Sequence, residues 1–271
     1  MSNDSEAPAV ERRNASRLPR LALIGVALAA VAATFAYVGG WFTPSELTPA
    51  RFTDGFEHVN GVHDGFRRNH AKGVGVSGFF DSNGNGVRLS KALVFRPGRV
   101  PVIGRFSLGG GHPDAADTPA GVRGLGLQFS LPTGELWRTA MVNLPVFPFS
   151  TPEAFYEQML ASKPDPGTGK PDPAKMGAFL ARHPETAQAM TVIKGQAPSS
   201  GFDNSTFHGL NAFRFINSAG VSIPVRWQMS PAQPFEAASA SAAHDKNYLF
   251  DSLIAQIHRQ PLQWHLVVTI G

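Results

Sequence analysis

The residue best suited to chemistry in this chain is His70, which lies between Arg67-Arg68 and the segment Ala71-Lys72-Gly73. An imidazole has a pKa close to working pH, so one histidine can take a proton from a bound molecule and return it at another atom. A lone histidine in such a segment is more often structural than catalytic. The segment therefore indicates an acid–base site only if other residues support it.

Two arginines suggest a second kind of chemistry. Arg67 lies three residues before His70, and Arg105 begins the segment Arg105-Phe106-Ser107. A guanidinium group can donate two parallel hydrogen bonds to a carboxylate, so a pair of arginines suits a ligand with two carboxylates. The alternative for Arg67 is a solvated charge beside Arg68.

Composition and spacing exclude several other kinds of site. The 271 residues contain no cysteine, which excludes disulfides, thiolate nucleophiles, iron–sulfur clusters and cysteine-ligated zinc. The nine histidines include no His-x-x-x-His pair, which argues against a zinc hydrolase, and no Gly-x-Ser-x-Gly motif occurs. The net charge is +4, without a basic stripe interleaved with aromatic residues, so no nucleic-acid partner is expected.

The N-terminal region predicts a membrane segment. Residues 1–20 form a basic tail, and the uncharged run that follows, residues 21–39, is about as long as a bilayer-crossing helix. Positive charge before the run retains that end in the cytoplasm and places the rest of the chain on the periplasmic or extracytoplasmic side. The alternative is a cleaved signal peptide, for which Thr34-Phe35-Ala36 offers a small-residue cleavage site. The aromatic pair Trp41-Phe42 favours the uncleaved anchor.

Beyond a polar hinge at residues 43–46, one body is expected over residues 45–271. Strands alternate with turn signals in its first half, and helices follow before strands return. Strands are predicted at 73–80, 87–95, 100–108, 124–131, 136–142, 212–217, 221–229 and 264–270. Helices are predicted after the Thr151-Pro152-Glu153 start and at 175–182, 184–194 and 248–258. Meandering strands and helices without β-α alternation predict an α+β fold with an antiparallel β-barrel or sheet and flanking helices.

Four segments taken in order carry a family resemblance. They are Asn69-His70-Ala71-Lys72-Gly73, Arg105-Phe106-Ser107, Ala116-Asp117-Thr118 and Asn143-Leu144-Pro145-Val146-Phe147. In this order and at these separations they resemble the distal half of the heme pocket in the catalase superfamily. The resemblance covers about residues 45 to 271 and implies an antiparallel barrel with helices packed outside it.

The resemblance implies a role for each matching residue. His70 matches the distal histidine, and Ser107 matches the residue that supports its ring by hydrogen bonding. Arg67 and Arg105 match arginines that pair with the propionates of heme b. Aromatic residues that pack against the porphyrin are matched by Phe147 and Phe155, and Asn143 matches the second asparagine of a catalytic Gly-Asn-Asn-x-Pro segment.

Two departures from that pattern favour one branch of the superfamily. Val142 occupies the position of the asparagine that steers bound peroxide, and Gly121-Val122-Arg123 replaces Asp-Pro-Arg. Both changes argue against fast dismutation of hydrogen peroxide. The chain resembles more closely the exported, membrane-anchored catalase-related peroxidases, which are credited with reducing organic peroxides in defence against oxidative stress.

The iron ligand stays unassigned by the sequence. The family's proximal tyrosine lies in an Arg-x-x-x-Tyr helix, and none of Tyr37, Tyr156 and Tyr248 matches it. The chain is therefore expected to be a C-terminally truncated core, as a fragment or by natural shortening. Its partners would be a peroxide, a reducing co-substrate, the membrane through the N-terminal helix and, in a homo-oligomer, further copies of itself. The alternative is a non-catalytic barrel that binds heme or another apolar ligand weakly.

Overall fold

The computed structural model describes residues 17–42, 46–239 and 245–271 in two units, Met1–Phe52 and Thr53–Gly271. Helix α1 (Arg17–Val38) dominates the first unit, and its residues Leu18–Val38 have a mean hydropathy of 2.3 with none of that window buried. The helix is thus long and apolar enough to cross a membrane, a test that a signal sequence also passes. Residues 1–16 of the predicted basic tail and residues 43–45 of the predicted hinge lie outside the described residues.

A seven-stranded antiparallel sheet forms the second unit, and its strands are neighbours in the same order as in the chain. The strands are β1 (Gly73–Ser82), β2 (Gly98–Leu108), β3 (Arg123–Ser130), β4 (Leu136–Val142), β5 (Phe207–Ile216), β6 (Ser222–Pro231) and β7 (Trp264–Ile270). Within the described residues, β1 and β7 are the two edges of the sheet.

The sheet is strongly curled. In a flat sheet, β2 and β7 would be separated by about 24 Å, since neighbouring strands lie about 4.8 Å apart. The ring centroids of Phe106 on β2 and Trp264 on β7 are nevertheless only 5.7 Å apart. The sheet therefore wraps around its aromatic side chains as a half-barrel, which confirms the predicted α+β class with a barrel-like antiparallel core.

Alternation along the strands separates a core face from an outer face. Phe106, Leu125 and Met141 occupy one cross-strand row and are all buried, so they face the interior. The next row along the same strands contains Ser107, Gly124 and Val142, which face the opposite side. One face therefore packs the core, and the other is free to form a site.

Helices lie before, between and after the strands: α2 (Pro49–Asn60), α3 (Pro152–Ala161), α4 (Pro173–Arg182), α5 (Pro184–Lys194) and α6 (Tyr248–Arg259). The predicted cap is confirmed, because Thr151 Oγ1 accepts a hydrogen bond from the Ala154 N–H at 3.1 Å at the start of α3. Helix α2 was not predicted.

The strand predicted at residues 87–95 is wrong. The segment forms two short 3₁₀ helices, Asn85–Arg88 and Leu93–Phe95. Its apolar end turns inward, so that Val94 and Phe95 are buried, and Phe95 contacts Phe215 with a centroid distance of 5.1 Å. The apolar run therefore covers the end of the core instead of pairing in the sheet.

Candidate active site

A cavity of about 370 Å³ lies against the outer face of β2, β3 and β4. Arg105 on β2 pairs with Gly126 on β3, which pairs with Ala140 on β4, and all three residues line the cavity. Gly126 and Ala140 carry almost no side chain, and a Cβ added at Gly126 would have no atom within 4 Å. Small residues on the middle strands thus leave space of the size of a ligand site.

His70 stands over this floor, directly before β1. Its Nδ1 lies 3.1 Å from Ser107 Oγ, and its ring packs over Gly124, where an added Cβ would be 3.1 Å from the ring Cε1. Among the described residues, His70 Nε2 has no hydrogen-bond partner, and the residue lines the cavity. The structure therefore brings His70 and Ser107 together, and the supporting role that the family resemblance implies for Ser107 stays a prediction.

The environment of His70 favours the neutral ring. Burial, then the positive charges of Arg105 and Arg67, lower the pKa of the imidazole below its usual value of 6.5. A neutral imidazole with one nitrogen held by a hydroxyl can accept a proton at the other. This is the protonation state that a general base requires.

The two predicted arginines have different surroundings. Arg105 donates from Nη1 to the carbonyl oxygen of His70 at 2.9 Å and from Nη2 to that of Ala71 at 3.0 Å. Arg67 lines the cavity, is exposed, and has no hydrogen-bond or ion-pair partner among the described residues. Arg67 is therefore free to bind an anion, whereas Arg105, which also lines the cavity, already uses one N–H of each terminal nitrogen on the backbone.

The structure directs Asn143 away from the cavity. Its Oδ1 accepts a hydrogen bond from the Arg123 N–H at 2.8 Å, and its Nδ2 donates to the Gly121 carbonyl at 3.3 Å. The residue before it, Val142, does line the cavity. The side chain of Asn143 stabilises the start of β3 and does not reach the space in front of His70.

The two predicted aromatic residues belong to one ring cluster, but only Phe147 lines the cavity. Phe147 is 50% exposed, and its ring centroid lies 6.2 Å from that of Phe155 on α3. Phe155 stacks on Phe149 at 5.1 Å with an interplanar angle of 21°. Phe155 therefore supports the aromatic wall from behind.

Three polar residues of the cavity were not found from the sequence: Asn69, His208 and Asn211. His208 pairs with Val142 where β4 meets β5, so it faces the same side of the sheet. Burial lowers the pKa of His208, and a hydrogen bond to Gln228 opposes that shift. The sequence carried no signal for this pairing, which joins strands 64 residues apart.

A buried arginine fixes the segment that leads into β5. Arg123 is fully buried and donates to the carbonyl of Gly201 at 2.8 Å, the hydroxyl of Ser205 at 3.1 Å and the carbonyl of Ser199 at 2.9 Å. These bonds join the start of β3 to the segment preceding His208. The strand that carries His208 is thereby fixed against the strand beneath His70.

Two glycines on β3 allow a matched test of the packing beneath His70. A Cβ at Gly124 would lie 3.0 Å from Ser107 Oγ and 3.1 Å from His70 Cε1, whereas a Cβ at Gly126 would meet open space. Ser107 is buried and cannot move aside cheaply. Gly124→Ala is therefore expected to lower the free energy of unfolding by about 1–3 kcal/mol, and Gly126→Ala to change it by less than about 0.5 kcal/mol. Urea denaturation measures both, and equal effects would show that the contact at Gly124 is not tight.

Comparison with known proteins identifies the family. The sequence profile of the catalase family, "Catalase", matches residues 43–270. The chain belongs to the catalase family. It is 38% identical over 251 residues to a catalase-related peroxidase of Synechococcus elongatus, covering 92% of this chain and 74% of the relative. It is 32% identical to a catalase-related peroxidase of Mycolicibacterium paratuberculosis, covering 83% of this chain and 72% of the relative. The predictions of catalase-family membership and of an oxidoreductase are confirmed.

Solved catalases share the fold. A bacterial catalase aligns with a TM-score of 0.68 at 23% identity, over 83% of this chain and 45% of the bacterial one. Catalase A of Saccharomyces cerevisiae aligns with a TM-score of 0.69 at 19% identity, over 83% of this chain and 48% of the yeast one. The chain thus spans about half the length of these solved catalases.

Catalases generally bind heme, and the cavity residues fit one side of that cofactor. The neutral imidazole of His70 would suit the side of the iron where a substrate binds. Arg67 is free to pair with a propionate, and the apolar side chains of Val142 and Phe147 would suit the edge of the porphyrin. Neither Tyr156 nor Tyr248 is among the described residues that line the cavity. Among the described residues that line the cavity, those of a type that can ligate heme iron are His70 and His208.

Proposed function

We propose that this protein is a heme b-dependent peroxidase that reduces organic peroxides and has little catalase activity, with His70 as the general acid–base residue. The observation that supports this most directly is the geometry of His70, whose Nδ1 is held by Ser107 while Nε2 faces the cavity without a protein partner among the described residues. When bound, the heme supplies the redox chemistry of the reaction. His70 Nε2 takes the proton of the incoming peroxide and returns it to the departing oxygen.

Val142 supports a peroxidase in preference to an efficient dismutase. The cavity presents this apolar side chain in the sheet row that passes beneath His70, and Asn143 is hydrogen-bonded to residues 121–123. Neither Val142 nor Asn143 therefore offers a carboxamide that could orient a second hydrogen peroxide. Reducing a peroxide to an alcohol and water consumes two electrons and two protons, so a reducing co-substrate completes the proposed reaction.

Helix α1 supports a location at the cytoplasmic membrane. Its apolar length matches a single crossing, and the arginines that precede the apolar run favour retention of the N-terminus in the cytoplasm. The peroxidase body would then remove peroxides on the extracytoplasmic side. Protease treatment of spheroplasts tests this orientation, since only an external body would be digested.

Arg67 is proposed to pair with a heme propionate, which makes heme affinity its readout. Arg67→Leu is expected to weaken heme binding about 10- to 100-fold, because a hydrogen bond to a charged group contributes about 1.5–3 kcal/mol. The control is Arg68→Leu, since Arg68 is exposed and paired with Glu57 outside the cavity. Heme titration of the detergent-solubilised chain, followed by its Soret band, measures both variants. Equal weakening by the two substitutions would contradict a specific role for Arg67.

The same titration separates the peroxidase from the alternative, a barrel that binds heme or another apolar ligand weakly and performs no turnover. A one-to-one complex that reduces cumene hydroperoxide with an added electron donor would support the peroxidase. Weak, non-stoichiometric uptake without turnover would support the non-catalytic barrel.

A further inference from the structure

The backbone of His70 is unusual. With a φ of 55°, it is the single non-glycine residue with positive φ among residues 17–42, 46–239 and 245–271. Side chains with a Cβ rarely adopt this left-handed conformation, because the Cβ crowds the backbone. Such a conformation persists only where the surrounding structure holds it in place.

One side-chain oxygen holds the N-terminal side of His70. Asn69 Oδ1 accepts a hydrogen bond from the His70 N–H at 2.9 Å and another from the Gly110 N–H at 2.8 Å. An amide oxygen has two lone pairs and can accept both bonds at once. Asn69 therefore ties the main chain of His70 to a loop whose Gly110 lies 41 residues after Asn69 in the chain.

The loop that receives this bond is built for a close approach. Gly110 has a φ of 104°, and its carbonyl accepts a hydrogen bond from the Ala71 N–H at 3.0 Å. A Cβ added at Gly111 would lie 2.5 Å from the carbonyl oxygen of Arg68. The two glycines thus let the loop lie against the backbone on both sides of His70.

We propose that Asn69 is a positioning residue, whose side-chain oxygen joins the amides of His70 and Gly110 and so holds the His70 ring over Gly124 in the cavity. Ser107 fixes the ring, and Arg105 fixes the carbonyl of His70. Without the Asn69 oxygen, the two amides lose their acceptor and His70 can relax to negative φ, which turns its side chain away from the cavity. The consequence for catalysis rests on the proposed function, whereas the consequence for the position of His70 does not.

A second asparagine provides a matched control. Asn217 Oδ1 also accepts two backbone hydrogen bonds, from Ala219 N–H at 3.0 Å and Val221 N–H at 2.9 Å, in the turn between β5 and β6. Asn217 does not line the cavity. Asn69→Ala and Asn217→Ala therefore remove the same kind of interaction at two places, only one of which holds His70. Asn69→Asp keeps an accepting oxygen and serves as the conservative variant.

The first readout is independent of heme and of activity. The imidazole of His70 is titrated by NMR in the full chain without heme, with ¹³C-labelled histidine and His70→Gln to assign the signal. Asn69→Ala is expected to raise the pKa of His70 towards 6.5, because the ring leaves its buried position beside Arg105 and Arg67. Asn217→Ala is expected to leave the His70 titration unchanged, and in Asn69→Asp the ring signal is expected to keep its wild-type chemical shift for the neutral form.

The second readout is turnover of the heme-loaded protein. Asn69→Ala is expected to lower kcat by about 10²-fold, the size of effect that a displacement of about 1 Å can produce, while KM for peroxide changes little. Unchanged His70 titration in Asn69→Ala, or equal changes in Asn69→Ala and Asn217→Ala, would overturn the proposal. If the wild-type protein shows no turnover, the proposed function fails, and the NMR comparison alone still decides the role of Asn69.

Discussion

His70→Ala is expected to lower peroxide turnover of the heme-loaded protein by about two to four orders of magnitude, the usual contribution of a positioned acid–base group. The alanine removes the imidazole whose Nδ1 is held by the Ser107 hydroxyl and whose Nε2 faces the cavity. Heme affinity is expected to change little, because Arg67 and the apolar wall remain. The effect should therefore fall on kcat.

The measurement compares steady-state reduction of an organic peroxide by wild type, His70→Ala and His265→Ala, since His265 is an exposed residue of β7 outside the cavity. The pH dependence adds a signature. Burial and the charges of Arg105 and Arg67 lower the pKa of His70, so activity of the neutral base should persist below pH 6.5 and be lost only as the pH falls through the lowered pKa. Wild-type turnover in His70→Ala, or an acid limb above pH 6.5, would contradict the assignment.

Asp117→Ala is expected to lower the free energy of unfolding by about 3–5 kcal/mol, because the charge of the partly buried Lys72 then keeps only the carbonyls of Ala115 and Lys246 and no carboxylate partner. The Asp117 side chain is fully buried, and its Oδ1 lies 2.6 Å from Lys72 Nζ, whose side chain is 13% exposed. Its Oδ2 accepts a hydrogen bond from the Leu249 N–H at 2.8 Å in the first turn of α6. One carboxylate therefore joins the start of β1 to α6, and its loss leaves both donors without that acceptor.

Urea unfolding followed by tryptophan fluorescence measures this effect, with Asp81→Ala as the control. Asp81 pairs with Arg99 at 2.6 Å, but both side chains are 63% exposed, so its loss is expected to cost less than about 1 kcal/mol. Lys72→Met combined with Asp117→Ala should recover part of the loss, since no unpaired charge is then buried. A loss of less than about 1 kcal/mol in Asp117→Ala would contradict this account.

The sequence predicted several strands and helices of the fold well. Strands β4 and β7 and helix α5 begin and end where apolar alternation or proline and glycine signals indicate. Helix α2 was missed because Gly55 disfavours a helix interior. In the structure, a Cβ at Gly55 would lie 2.6 Å from both Tyr156 and Met159, so that glycine is required by packing against α3. Such a requirement comes from tertiary contacts and leaves no periodic signal.

The sequence predicted which residues lie at the candidate site better than it predicted where their side chains point. His70, Ser107 and Arg67, which the family resemblance singled out, line the cavity, and their roles there stay predictions. The order of residues does not determine where a side chain points after a turn, and for this reason Asn143 bonds backward to β3 and Arg105 bonds to the His70 backbone. His208 enters the site through a single cross-strand pair with Val142, which no local pattern indicates.

Strands that pair in chain order can assemble while the chain is still being synthesised. Strands β1 to β4 each need only the next strand to emerge, so the wall beneath His70 can form within the first 142 residues. Trp264, whose ring contacts Phe106, and Leu249, whose N–H donates to Asp117, emerge later. Until then the apolar face of the half-finished sheet lacks its cover and is open to association with other chains. The wall beneath His70 can therefore form early, and the contacts that cover its apolar face are completed only once β7 has been synthesised.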